Sequence, residues 1–497
     1  MNSKDKTEPE KKPGLVKSFI DYFYGNFIVL LLGVVSLPLI TRVLSTDEFG
    51  RTNIFLSAVS IIYIMAILGL DQSYIRYYYR EGTDRRRLLL QCVRLPFLLI
   101  LILAAVYFLF STPLNALLFE RDGMDITLLV MLYTVTSVFE RFLFLNIRME
   151  QNGKLYSNLN ILSKVLYIGL IFIFAFFLGD DFRVGLYALT LPLFFVTAGL
   201  LIRFLRQGRQ DPDKPPHDIT DRELLAYGIP FVPMLLMEWL LSSMDKWSIR
   251  LFNDFSETGI YSAAMQIMSI ILTFKITFVA FWSPVAMEKY ENEPEERCHA
   301  FFRDTFDKVQ FLCFFAAFGI TLFRGIIVLL LGEGYRDAVR IIPFLTMMPI
   351  LSILFEMIGQ GIKFTGKTIY FNYASLAAIL CNLTGNTLLV PRFRGIGAAL
   401  ATALTYVVYF FIGARLAGKC YPVQYDYKKC CISLILYGIY AAYASLAPDT
   451  GTISLAISIT AGILGLSLHL FINRQTLKGL LQYAGQLFTK LRRKKER

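Results

Sequence analysis

Glu238, Ser242 and Asp245 stand four and three residues apart in one apolar run, with Lys246 beside the last. On a helix that spacing puts all three on one face. A carboxyl so placed is balanced between burial, which favours its neutral form, and a nearby ammonium, which favours its charged form. Glu238 and Asp245 are therefore candidates for a proton or cation site. Lys164, Lys275, Glu140-Arg141, Arg324 and Glu356 are also embedded in apolar sequence, where an ionisable group needs water or a partner. Lys164, Lys246 and Lys275 are the candidates for holding an anionic cargo, since an ammonium neutralises a phosphate. Arg76, in Asp71-Gln-Ser-Tyr-Ile-Arg76, stands at the mouth of a span, where it either meets cargo or snorkels to lipid phosphate. The bland alternative for each is an ion pair between helices, Glu238 with Lys275 for instance. Glu140-Arg141 and Glu356 fit a structural or interfacial role best.

Other chemistries find no footing. There is no P-loop, and Gly332-Glu-Gly334 lacks the Lys that a phosphate cradle needs. The seven Cys form no CxxC pair and the three His are scattered, so neither a metal nor a cofactor is expected. Membrane enzymes that build polymers usually carry a sizeable extramembrane loop. The longest outer break here, around residues 111–125, is short.

The elements that carry these groups are legible from hydropathy. Between Phe19 and Phe471 the chain is a series of about fourteen apolar runs, each roughly twenty residues long, the length a helix needs to cross a bilayer. Of its 497 residues 55% are hydrophobic and only 18% charged, which excludes a soluble enzyme. The formal charge of +12 sits at the membrane surface and does not indicate nucleic acid. Lys4, Lys6, Lys11, Lys12 and Lys17 precede the first span, and Lys490 to Arg497 follow the last. Arg80, Arg85, Arg86 and Arg87 fill the second break, and Arg203, Arg206, Arg209 and Lys214 the sixth. Breaks 45–50, 179–183, 253–259 and 448–452 hold a single Arg between them. The alternation places the basic breaks and both termini in the cytoplasm of a multi-pass cell-membrane protein.

Six spans precede the Pro- and charge-rich break at 206–222, and eight follow it. The expected organisation is a basic N-tail at 1–18, an N-lobe at 19–205, a linker at 206–222, a C-lobe at 223–418, two further spans at 428–472 and a basic tail at 475–497. A displacement of 209 positions pairs Glu48 with Glu257, Gly50 with Gly259, and Ser60-Ile61-Ile62 with Ser269-Ile270-Ile271. Repeated halves suit a transporter. Pro230 and Pro233 are expected to bend span seven. In the tail Leu477, Leu480, Leu481, Ala484, Leu487, Phe488 and Leu491 recur at helical spacing, as in a helix lying on the inner membrane surface or packed on the bundle.

Ile40-Thr-Arg-Val-Leu-Ser-Thr-Asp-Glu-Phe-Gly50, Leu68-Gly-Leu70 with Ile75-Arg76, Gly332-Glu-Gly-Tyr335 with Ala338, and Asn382 and Asn386 leading to Gly395-Ile-Gly-Ala-Ala-Leu-Ala-Thr402 and Tyr406 follow in order along the chain. Together they resemble the polysaccharide transporter family, the Wzx-type flippases of the multidrug/oligosaccharidyl-lipid/polysaccharide superfamily. The resemblance implies an all-α membrane fold of two six-helix lobes in a V plus two C-terminal helices. It implies alternating-access export of a polyprenyl-pyrophosphate-linked oligosaccharide for O-antigen, capsule or exopolysaccharide assembly. The implied partners are that lipid-linked substrate, membrane lipids, H+ or Na+ as coupling ion, and polysaccharide assembly proteins. An ion-coupled multidrug exporter or a lipid II flippase of the same fold, and a membrane polysaccharide polymerase, are the alternatives. Cations within the spans weigh against a cationic drug as cargo.

Overall fold

The computed structural model describes residues 15–206, 219–446 and 451–482, together with residue 486. The described residues are helical, with no strand among them. In chain order the helices are α1 (Leu15–Val43), α2 (Thr46–Ile67), α3 (Leu70–Tyr77), α4 (Arg85–Leu109), α5 (Ser111–Phe119), α6 (Met124–Met149), α7 (Gly153–Leu178), α8 (Phe182–Arg206), α9 (Asp221–Gly228) and α10 (Phe231–Phe252). They continue as α11 (Phe255–Asn292), α12 (Glu295–Leu322), α13 (Arg324–Leu329), α14 (Ala338–Leu345), α15 (Met347–Ile358), α16 (Gln360–Phe364), α17 (Ile369–Cys420), α18 (Tyr427–Leu446) and α19 (Gly451–Ile472).

Twelve helical stretches are long and apolar enough to cross a membrane, and Phe27–Val43 is a shorter apolar one. The 52 residues of α17 reach about 78 Å, more than two bilayer cores. Arg394, at φ 51°, breaks α17 into two helices. With the two halves of α17 counted separately, the described residues supply thirteen stretches of spanning length, and Phe27–Val43 is a shorter fourteenth. Large apolar side chains on the outside of the protein point to the same solvent: Phe176 is 85% exposed, Leu251 77% and Leu109 76%. In water such surface would be an aggregation hazard, whereas hydrocarbon makes it neutral.

The chain forms two compact units, Met1–Ser36 with Ile54–Leu236, and Leu37–Asn53 with Met237–Arg497. The division falls inside α10, and the stretch around the first polar break groups with the second unit. Part of the linker (207–218), most of the basic N-tail (1–14), and Ala484, Leu487, Phe488 and Leu491 of the amphipathic tail lie outside the described residues.

In the first unit Tyr74, Tyr78, Cys92 and Phe142 form a buried core. Asp84 caps α4 by accepting from the Arg86 and Arg87 amides at 3.0 and 3.1 Å, satisfying donors that a helix start leaves free. The turn between α2 and α3 passes so close to the end of α9 that a Cβ on Gly69 would meet the Gly228 carbonyl, and Gly69 also needs its φ of +69°. Ser73 secures the approach by donating to the Leu224 carbonyl at 2.6 Å.

In the second unit α14 to α16 are the most enclosed span, 89% buried over its apolar window. α18 and α19 attach through polar locks. His469, wholly buried, lies 3.0 Å from Ser433 Oγ and 3.1 Å from the Phe311 carbonyl. Gln310 donates to Asn473 at 2.7 Å.

Candidate functional site

Span seven is interrupted at Ile229 and Pro230, between α9 and α10, and Pro233 falls in the first turn of α10, where a missing N–H costs nothing. Further along α10, Asp245 is enclosed by the second unit until it is only 2% exposed. Two pairs of neutral donors hold its carboxyl. Oδ1 accepts from Asn386 Nδ2 at 2.7 Å and Asn382 Nδ2 at 3.1 Å. Oδ2 accepts from Thr402 Oγ1 and from the Tyr261 hydroxyl, each at 2.5 Å. The four partners come from α11 and from both halves of α17. Asn382 and Asn386 are one turn apart, so their amides line up on one face.

A buried carboxyl is tolerated only when hydrogen-bonded or paired with charge. Here it is hydrogen bonds that stabilise it, because no Lys, Arg or His among the described residues forms an ion pair with Asp245. Lys246 does not supply one, since successive residues on a helix point apart. Its ammonium donates to Asn53 at 3.4 Å. The Asn386 amide oxygen is buried and has no hydrogen-bond partner. Two Asn side chains and two hydroxyls thus surround the carboxyl, oxygen-bearing groups of the kind hard cations take.

The other residues singled out in the sequence are dispersed. Glu238 and Ser242 lie on the exposed first half of α10, and neither joins the Asp245 cluster. Tyr406, within α17, lies in the field of both carboxyls. Lys275 is not paired with Glu238. Its ammonium lies 3.4 Å from Glu356 Oε1, and Lys363 lies 3.4 Å from Glu356 Oε2, so two cations share one carboxylate. Lys164 is half-buried on α7, its ammonium 4.8 Å from the centre of the Tyr167 ring. Arg76 is exposed at the end of α3. Arg141 donates twice to Asp71, from Nε at 3.1 Å and a terminal nitrogen at 2.6 Å, an ion pair of the kind expected for it. Arg324 donates to the Thr321 carbonyl at 2.8 Å and to Ser458 at 2.9 Å.

Tyr261, Asn382, Asn386 and Thr402 were not legible as site residues. Asn382, Asn386 and Thr402 belong to the segment that carries the family resemblance, and two Asn one turn apart in an apolar run was the available signal. Tyr261 gives none, since a Tyr in a span is ordinary.

The sequence profile described as "Polysaccharide biosynthesis protein" matches residues 15–288, more than half of the chain. The chain belongs to that family. It is also similar to a probable low-salt glycan biosynthesis flippase, Agl15, of Haloferax volcanii, at 22% identity over 455 residues, 90% of this chain and 94% of that protein. Among solved structures it resembles the lipid II flippase MurJ in an inward closed conformation, with a TM-score of 0.65 and 15% identity over 92% of this chain and all of the other. The MATE multidrug transporter DinF-BH aligns with a TM-score of 0.55 and 18% identity over 85% of this chain and 99% of that one. At these identities the solved structures establish the fold, which is that of flippases and multidrug transporters.

Proposed function

We propose that this family member is a flippase that moves a polyprenyl-pyrophosphate-linked oligosaccharide across the cytoplasmic membrane by alternating access, for assembly of a surface polysaccharide. The Asp245 cluster carries the reading. A carboxyl held mid-span by neutral donors, beside an orphaned amide oxygen, is an expensive arrangement for packing alone. It suits reversible uptake of a small cation, H+ or Na+, that biases a conformational equilibrium. Asp245, Asn382, Asn386, Thr402 and Tyr261 are the residues that would hold the ion, which would supply positive charge to offset Asp245. The relationship to a glycan flippase over nine-tenths of both chains supports a glycan cargo. Both termini and the basic breaks lie in the cytoplasm in this reading. Lys246, Lys275, Lys164 and Arg76 are the cargo-binding cations, the product passes to assembly proteins outside, and membrane lipids surround the bundle.

Reconstitution tests the proposal. Purified protein in vesicles should move the lipid-linked oligosaccharide of its own cells between leaflets, faster under a proton or sodium gradient. Movement of a cationic dye in its place would make the chain a drug exporter.

A further inference from the structure

The first unit holds a cavity of about 370 Å³, within the range of small-molecule sites, that none of the residues above explains. It opens among the last turns of α2 and α6 and the first turns of α7. Tyr63, Tyr133, Tyr156, Glu140, Arg148 and Asn160 line it. Two of its rings are fixed by edge-on neighbours: Phe55 lies 5.0 Å from Tyr133, and Phe144 lies 5.6 Å from Tyr156. Fixed aromatic faces are surfaces on which flat apolar faces stack at little entropic cost.

The charges narrow the occupant. Arg141 also lines the cavity, but Asp71 neutralises it at 2.6 Å. Glu140 has no hydrogen bond and no ion pair among the described residues, so its carboxyl is presented to the cavity. A pyrophosphate beside Glu140 would meet like charge, with Arg141 already committed to Asp71. An apolar tail would strip the carboxyl of solvent without a replacement bond. Neutral hydroxyls fit, because a carboxyl takes them as acceptor or donor in either protonation state. Arg148 lies two helical turns, about 12 Å, nearer the end of α6. The cavity thus has a hydroxyl-binding interior with one cation towards its mouth.

We infer that this cavity is a sugar subsite: one pyranose ring of the lipid-linked glycan stacks on its tyrosines and hydrogen-bonds Glu140 and Asn160, while the pyrophosphate stays on the Arg148 side. The inference rests on the flippase reading and adds to it the place where the sugar is recognised. In the proposed topology the subsite faces the cytoplasm, the side from which cargo enters.

The experiment compares two probes on protein in nanodiscs: lipid-linked oligosaccharide extracted from the source cells, and polyprenyl pyrophosphate without sugar. The wild type should bind the sugar-bearing lipid more tightly. Glu140→Gln removes the carboxyl, and Ser137→Leu fills the cavity from a wall residue without touching the charges. Each should cut the preference for the sugar-bearing lipid roughly tenfold, Glu140→Gln by removing a charge-assisted contact and Ser137→Leu by occupying the space of the ring, while affinity for the sugar-free lipid and the melting temperature stay unchanged. A preference unaltered in both variants would overturn the subsite and leave the flippase standing. Equal weakening of both lipids would likewise overturn it, because the cavity would then be reading the pyrophosphate. Failure of the wild type to bind the sugar-bearing lipid at all would remove the flippase reading itself.

Discussion

Gly50 and Gly259 pack so closely that a methyl on Gly50 would strike the Phe255 carbonyl, and one on Gly259 would strike the Thr46 carbonyl. Thr46 and Phe255 are separated by the same 209 positions as the two glycines. The sequence echo is therefore matched by an isologous contact within the second unit, where the starts of α2 and α11 meet as equivalent partners. Thr46 Oγ1 and Ser256 Oγ, 2.6 Å apart, bond across the same crossing.

Ala at either glycine should damage the protein to a similar extent. Backbone atoms cannot give way as a flexible side chain can, so overpacking here should cost about 1–3 kcal/mol. We expect Gly50→Ala and Gly259→Ala each to lower the melting temperature in detergent. Their double variant should fall short of the sum, since both relieve strain by opening one crossing. A large drop for one and none for the other would mean that the contact is not shared.

Lys275, Glu356 and Lys363 permit a separation of structure from cargo binding. Glu356→Gln leaves two ammoniums facing one another and should reduce the amount of folded protein. Lys275→Gln leaves the Glu356–Lys363 pair intact and removes the surplus cation. Combined with Lys246→Gln, it should abolish glycan export with the protein still present in the membrane. If Lys275→Gln alone depletes the protein as severely as Glu356→Gln, Lys275 is a structural residue.

Sequence made the spans legible because a ~30 Å apolar slab imposes a length on each helix that no tertiary detail can override. The glycine crossing was visible as a repeat but not as a contact. Pairing of charges was the weak point. Glu238 and Lys275 were plausible partners on hydropathy alone, but Lys275 meets Glu356 through α15, and helix adjacency is not encoded in local spacing. Likewise Glu238 and Asp245 share a face by period, yet the enclosure of Asp245 by α11 and α17 does not extend to Glu238. Glu140 and Arg141, adjacent in sequence, both line a cavity, and of the two only Arg141 has an ion-pair partner among the described residues, Asp71.

Orientation is open to a direct check. A maleimide that cannot cross membranes should react with a Cys placed at Asn253, between α10 and α11, or at Asp449, from outside intact cells. The parent protein for this test has its seven native Cys replaced. Reaction only after permeabilisation would invert the topology and, with it, the side from which the sugar subsite loads.

Asp245 and Glu238 should part company on mutation. Asp245→Asn keeps the size of the side chain and an acceptor oxygen for Tyr261 and Thr402, so the protein should fold. It removes the only charge in the cluster, and with it the means of binding H+ or Na+ with useful affinity. Export should stop, or persist at a low rate that no longer responds to an uncoupler or to external sodium. Glu238→Gln alters an exposed side chain outside the cluster and should leave that response in place. Varying the two ions separately then names the coupling ion. Stimulation by sodium at fixed pH assigns the oxygen set to Na+, and stimulation only by a pH gradient assigns it to a proton on Asp245. Normal, gradient-sensitive export by Asp245→Asn would show that the cluster is a packing device and that the energy enters elsewhere.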